Sequence, residues 1–157
     1  MNGLRFAFEV EDADIVALPA TADEHAVDGQ DRVEIFLWSG NARDPYGCLE
    51  VSASGAVHDY LARFYRRFDD GWSAAAAAAA LRTTNGYVVE GMIPHATLGS
   101  MGFRLRAGEQ LHCGLFRAEF RAVAPRDPVW ITWVDPHTAQ PDFHVAGAFG
   151  VLVLAPP

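Results

Sequence analysis

The nine residues GLFRAEFRA, Gly114 to Ala122, decide the fold class. Phe116, Ala118 and Phe120 fall on one side of an extended chain and Arg117, Glu119 and Arg121 on the other, whereas a helix would scatter both sets around its circumference. This segment is a strand with a chemically active face. The same period of two recurs at the start, where Leu4, Phe6, Phe8 and Val10 alternate with Arg5, Ala7 and Glu9, and again where Val33, Ile35 and Leu37 alternate with Glu34 and Phe36. Further strand segments run Cys48 to Val51, Val57 to Arg66, Tyr87 to Ile93, Val129 to Trp133 and Val151 to Leu154, separated by turn-rich stretches such as SGNARDPYG from Ser39 to Gly47. Many short strands with turn signals predict an all-β chain, a two-sheet antiparallel β-sandwich of jelly-roll or immunoglobulin-like type.

Seven consecutive alanines, Ala74 to Ala80, oppose this pattern, because alanine is the best helix former. The flanks favour an extended segment: Ala76 to Thr83, then the Asn85-Gly86 turn, then Tyr87 to Ile93 reads as a hairpin. Pro94 to Gly102 supplies one helical turn. At 157 residues the chain is expected to form a single domain over 1–157.

Composition narrows the partners. Twenty acidic residues against twelve basic ones give a formal net charge of −8, which disfavours nucleic acid and anionic membrane surfaces. No apolar run approaches the roughly 20 residues of a membrane-spanning helix. The opening MNGLRFAFEV shows no secretory signal, so the compartment is left open; secretion or a periplasmic home would follow if the start is truncated. Cys48 and Cys113 sit in apolar strand segments without a ligand or redox partner at short spacing and read as buried free thiols.

Catalytic motifs are missing: there is no GxSxG elbow, HExxH pair or glycine-rich phosphate loop. Glu34, Glu50, Glu90 and Glu119 lie in strands, where the simpler expectation is a solvated face or pairing with Arg63, Arg66, Arg117 or Arg121; opposed carboxylates across a cleft would instead suit glycoside hydrolysis. His58, His95, His112, His137 and His144 show no three- or four-residue spacing, so a histidine metal site would have to be assembled by the fold, and no metal ligands are assigned. The acidic turns Glu11-Asp12-Ala13-Asp14 and Asp69-Asp70 offer oxygen ligands for structural calcium, although solvated turns are the simpler expectation. Met92 or Met101 with a histidine could ligate haem, but methionine is more often core filler, so no cofactor is expected.

Seven segments taken in order carry a family resemblance: LRFAFEVEDADIV, QDRVEIFL, CLEVSASG, GYVVEGMIP, LFRAEF, ITWVDP and DFHVAGAFG, covering Leu4 to about Leu154. The ordered set resembles carbohydrate-binding module family 9, related to the DOMON-type sandwich. The resemblance implies a non-catalytic module that binds saccharide ends or short plant-type oligosaccharides, as an accessory to glycan degradation. In sugar-binding members two tryptophans clamp a terminal sugar, and their positions fall near Asp28 and Phe143 here, so one wall is missing unless His25 or Trp38 replaces it. The resemblance, with the active face above, nominates Arg117 and Glu119 as hydrogen-bonding groups. Trp133 and Phe143 are then walls, and Asp142 and His144 polar flanks. The family's opening strands are not matched, which implies an exposed edge at Leu4 to Val10 that a second copy would cover as a homodimer. The reading from another class is a structural or protein-interaction sandwich that has lost sugar binding.

Overall fold

The computed structural model describes residues 2–19, 23–64, 66–121 and 128–155. Ten strands form two antiparallel sheets, as the alternation predicts. In chain order they are β1 (Gly3–Glu11), β2 (Arg32–Trp38), β3 (Tyr46–Ser52), β4 (Val57–Arg63), β5 (Arg67–Asp69), β6 (Ala77–Arg82), β7 (Gly86–Pro94), β8 (Gln110–Glu119), β9 (Val129–Thr132) and β10 (Gly150–Val153). The smaller sheet has the order β1-β7-β6, and the larger runs β10-β8-β2-β3-β4-β5. Strands β9 and β10 share one edge of β8, β10 pairing with Gln110 to Cys113 and β9 with Phe116 to Glu119. Among the described residues the one α-helix, α1 (His95–Ser100), follows Pro94, and a 3-10 turn spans Glu24–Gly29.

The alanine run is extended where it is ordered into β6: Ala77 to Arg82 pairs with Tyr87 to Met92 across the Asn85-Gly86 turn. Pairing with β7 outweighs local helix preference, since each residue gains ladder hydrogen bonds and a neighbour on the sheet. The strand expected over Val57 to Arg66 ends at Arg63, and β5 then pairs back on β4 with Arg67 opposite Arg63.

Two hydrophobic clusters lie on the two faces of the larger sheet. Odd-numbered residues of β2 and β3, among them Val33, Ile35, Leu37, Leu49 and Val51, pack against Val10, Tyr87, Val89 and Ile93 of the smaller sheet. Even-numbered Phe36, Tyr46, Cys48, Tyr60 and Phe116 form the second cluster on the outer face, covered by Phe143, Ala148 and Phe149 from the segment before β10. Hence β2 and β3 are buried along both faces. Cys113 belongs to the first cluster and Cys48 to the second, and both are free thiols.

Strand β1 pairs with β7 over its whole length and forms one edge of the smaller sheet. The acidic turn after it is engaged: Asp12 Oδ1 accepts the Asp14 amide at 2.8 Å and Asp12 Oδ2 pairs with Arg117 at 3.0 Å. Buried Asp31 joins three elements, its carboxylate accepting the Val16 and Phe120 amides at 2.6 Å each while its carbonyl takes the Ala53 amide at 2.8 Å.

The close approach of β1 to β7 depends on Gly86, where a Cβ would run into the carbonyl oxygen of Val10. Gly86→Ala is expected to destabilise the fold by about 1–3 kcal/mol in urea unfolding. Gly99→Ala, in α1 with open space around it, should be neutral or stabilising by up to about 1 kcal/mol.

Candidate functional site

A cleft of about 310 Å³ opens on the outer face of the larger sheet. Its floor is built by period two. Arg32 and Glu34 point outward from β2, Glu50 stands opposite Glu34 on β3, and His58 stands opposite Glu50 on β4. Tyr60, two residues further along β4, completes the row. Its walls come from four places: His25 and Asp28 of the 3-10 turn, Phe68 and Asp70 of β5 and its turn, Trp130 of β9, and Asp142, Phe143 and His144 of the segment before β10.

Arg32 is the centre of the floor. Its Nε–H donates to Glu34 Oε1 at 2.9 Å, and Glu50 Oε2 lies 2.6 Å from the same nitrogen. Because that nitrogen has a single hydrogen, directed to Glu34, Glu50 Oε2 is an ion-pair partner with no hydrogen-bond donor among the described residues. Glu50 Oε1 accepts the Tyr60 hydroxyl at 2.8 Å, and Arg32 Nη1 donates to the Asp28 carbonyl at 2.8 Å. Trp130 covers the guanidinium, its ring centre 5.6 Å from Arg32 Cζ.

Burial pushes the Glu34 carboxyl well above the usual carboxylate range, and Glu50 adds to the shift against the pull of Arg32. Burial likewise raises Glu50, against Arg32 and Tyr60. For Arg32, burial works against the charge, but Glu34 and Glu50 outweigh it and hold the guanidinium protonated. The two carboxyls converge on one cation instead of facing each other across a substrate, which is not the arrangement of a glycosidase pair.

The flank that the sequence nominates, Asp142, Phe143 and His144, does line the cleft. Phe143 is only 6% exposed, stacked on Phe116 with ring centres 4.2 Å apart and edge-on to Trp130 at 5.3 Å. The most accessible aromatic surface at the cleft is instead that of Phe68, 49% exposed and packed edge-on against Tyr60 and His144. His144 Nδ1 lies 2.9 Å from the Tyr46 hydroxyl. Burial, with Arg66 nearby, lowers its pKa from 6.5 to about 4. A neutral imidazole is thus favoured by folding, and its contribution to stability is present above pH 6.5 and is lost as the pH falls through about 4. Asp142 pairs with Arg66 at 2.9 Å.

Arg117, Glu119 and Trp133 are not brought to the cleft. Arg117 faces the smaller sheet, paired with Asp12 and lying 3.4 Å from Glu119, while Trp133 lines a separate groove with Arg117, Phe8 and Ile131. Trp38 is buried in the outer cluster with its indole nitrogen donating to the Asn41 carbonyl, so it does not replace a clamp wall. His25 does reach the cleft. It meets Asp28 and His58 there, a group that no histidine spacing announces because His58 is contributed by β4. Arg32, Glu34 and Glu50 were readable only as strand charges. The available signal was three charges at even positions of otherwise apolar strands.

The profile of the family described as carbohydrate family 9 binding domain-like matches residues 2–156. Among solved structures, a candidate carbohydrate-binding protein from Bacteroides uniformis ATCC 8492 superposes with a TM-score of 0.75 at 16% identity, over 97% of this chain and 73% of that one. A carbohydrate binding module family 9 from Caldicellulosiruptor kristjanssonii, solved with cellotriose, superposes with a TM-score of 0.63 at 19% identity, over 99% of this chain and 71% of that one. At these identities the likeness is one of fold. No curated protein matches the chain.

Removing the central cation would leave two buried carboxyls side by side. Arg32→Ala is therefore expected to cost about 3–5 kcal/mol in urea unfolding. Arg106→Ala, which breaks an exposed pair with Glu109, should cost no more than about 1 kcal/mol.

Proposed function

The chain belongs to the carbohydrate family 9 binding domain-like family, and on that premise we propose that its outer-face cleft binds a saccharide end or a short plant-type oligosaccharide without catalysing a reaction. The observation that carries the reading is the floor of Arg32, Glu34 and Glu50 beneath aromatic walls. Sugar hydroxyls are donors and acceptors at once. Glu50 Oε2, buried and without a donor, suits a hydroxyl proton, and the guanidinium supplies donors in return. A pyranose also presents an apolar face, for which exposed Phe68 and half-buried Trp130 offer stacking area. The positions that match the family's clamp, Asp28 and Phe143, both line this cleft, and this supports placing the sugar there. The cellotriose held by the Caldicellulosiruptor module supports a β-linked glucan fragment as the first ligand to try.

With no tryptophan at either clamp position, affinity is expected in roughly the micromolar-to-millimolar range. Calorimetric titration with cello- and xylo-oligosaccharides should show Phe68→Ala and Glu50→Gln weakening binding by about tenfold each, an effect of roughly 1.4 kcal/mol. Arg117→Ala and Trp133→Ala, outside the cleft, should leave it unchanged. The reverse pattern would move the site to the β8–β9 groove, and no binding to any glycan would favour an interaction domain. The outer edge of β1, unpaired among the described residues, supports association with a second copy, which light scattering should register as a dimer at micromolar concentration.

A further inference from the structure

At the rim of the cleft, His25, Asp28 and His58 each present a ligand atom, and the three atoms lie within 4.8 Å of one another. Asp28 sits between the two imidazoles. Its Oδ1 is 2.9 Å from His58 Nδ1 and its Oδ2 is 3.5 Å from His25 Nδ1. The rings themselves are 4.6 Å apart, centre to centre. In a tetrahedral zinc site with bonds of about 2.0–2.2 Å, neighbouring ligand atoms stand roughly 3–3.5 Å apart, so these spacings need only side-chain adjustment to converge on one ion.

The surroundings hold the ligands in place. Asp23 caps the 3-10 turn by accepting the His25 amide, buried Val27 anchors the turn, and Arg32 fixes the Asp28 carbonyl. His58 is 5% exposed and packs against Tyr60 at 4.9 Å, and its Nε2 has no hydrogen-bond partner among the described residues. The far nitrogen of His25, Nε2, is 3.9 Å from Asp70 Oδ2, which puts a carboxylate behind a ligating ring, the outer contact that orients histidine ligands in metal sites.

Two imidazoles and one carboxylate form a donor set suited to late first-row divalent ions and poorly suited to calcium or magnesium, which take oxygen ligands. All three residues line the cleft, so coordination positions left open by the protein are reachable from it. We propose that His25, Asp28 and His58 form a site for a divalent transition ion of the zinc class at the rim of the cleft.

The test is titration of chelator-stripped protein, free of any polyhistidine tag, with Zn²⁺ by calorimetry and with Co²⁺ by visible absorption. The expected result is one ion per chain with about micromolar affinity and Co²⁺ ligand-field bands of low coordination number, with His25→Ala and Asp28→Asn each weakening binding about tenfold or more. Both residues are exposed, so the variants should fold; buried His58→Ala is compared alongside, its fold checked by circular dichroism. His137→Ala, from an exposed histidine–aspartate pair with a single imidazole, should change nothing. Failure of wild type to bind either ion, or equal binding by wild type and His25→Ala, would overturn the proposal.

Discussion

One guanidinium sets the terms for the outer face of this sandwich. Arg32 emerges from β2 beside two carboxylates, one on its own strand and one on the next, in a sheet buried on both sides. Burying two acids at adjacent ladder positions is costly unless a cation is held between them. The arrangement also pins the register of β2 against β3, because a slip of β2 by one residue would turn Arg32 and Glu34 into the apolar core, bring Ile35 to the cleft and leave Glu50 without its cation.

The rest of the cleft is arranged around that cation. Trp130 closes over it, Tyr60 occupies one oxygen of Glu50, and the 3-10 turn is tied down through the Asp28 carbonyl. The aromatic cluster beneath, with Phe36 in contact with Tyr46, Tyr60, Phe116 and Phe149, gives the segment from Pro141 to Phe149 something to pack on. A floor held by these contacts, with Glu50 Oε2 left without a hydrogen-bond donor among the described residues, would lower the ordering cost of the saccharide binding proposed for it.

The sheets were legible in the sequence because a period of two survives wherever one face meets the core, as in β1, β2 and β8. The Asn85-Gly86 turn similarly outweighed the helix preference of the alanines. The floor of the site was harder to see. Alternation shows that Arg32 and Glu34 share a face, but not that the face is covered, since the cover comes from Phe143 and Phe149 more than a hundred residues away. With that cover unseen, Arg117 and Glu119 looked like the more active pair, whereas the fold turns Arg117 toward Asp12. Asp142, Phe143 and His144, nominated through motif order, line the cleft. His58 joined His25 only because β4 runs beside the 3-10 turn, a tertiary relation with no local trace.

Strand β6 has a consequence for how the molecule breathes. Its alanines supply little side-chain anchorage, among the described residues it is paired on one side only, and its intrinsic preference is for another conformation. Such a segment is expected to open ahead of the rest of the sheet, its amides exchanging faster than those of β2, β3 and β8. Each opening would strip β7 of one neighbour and present the alanines of β6 to solvent. Transient exposure of that kind, rather than loss of the whole fold, is the route by which chains of this protein would begin to associate through backbone pairing.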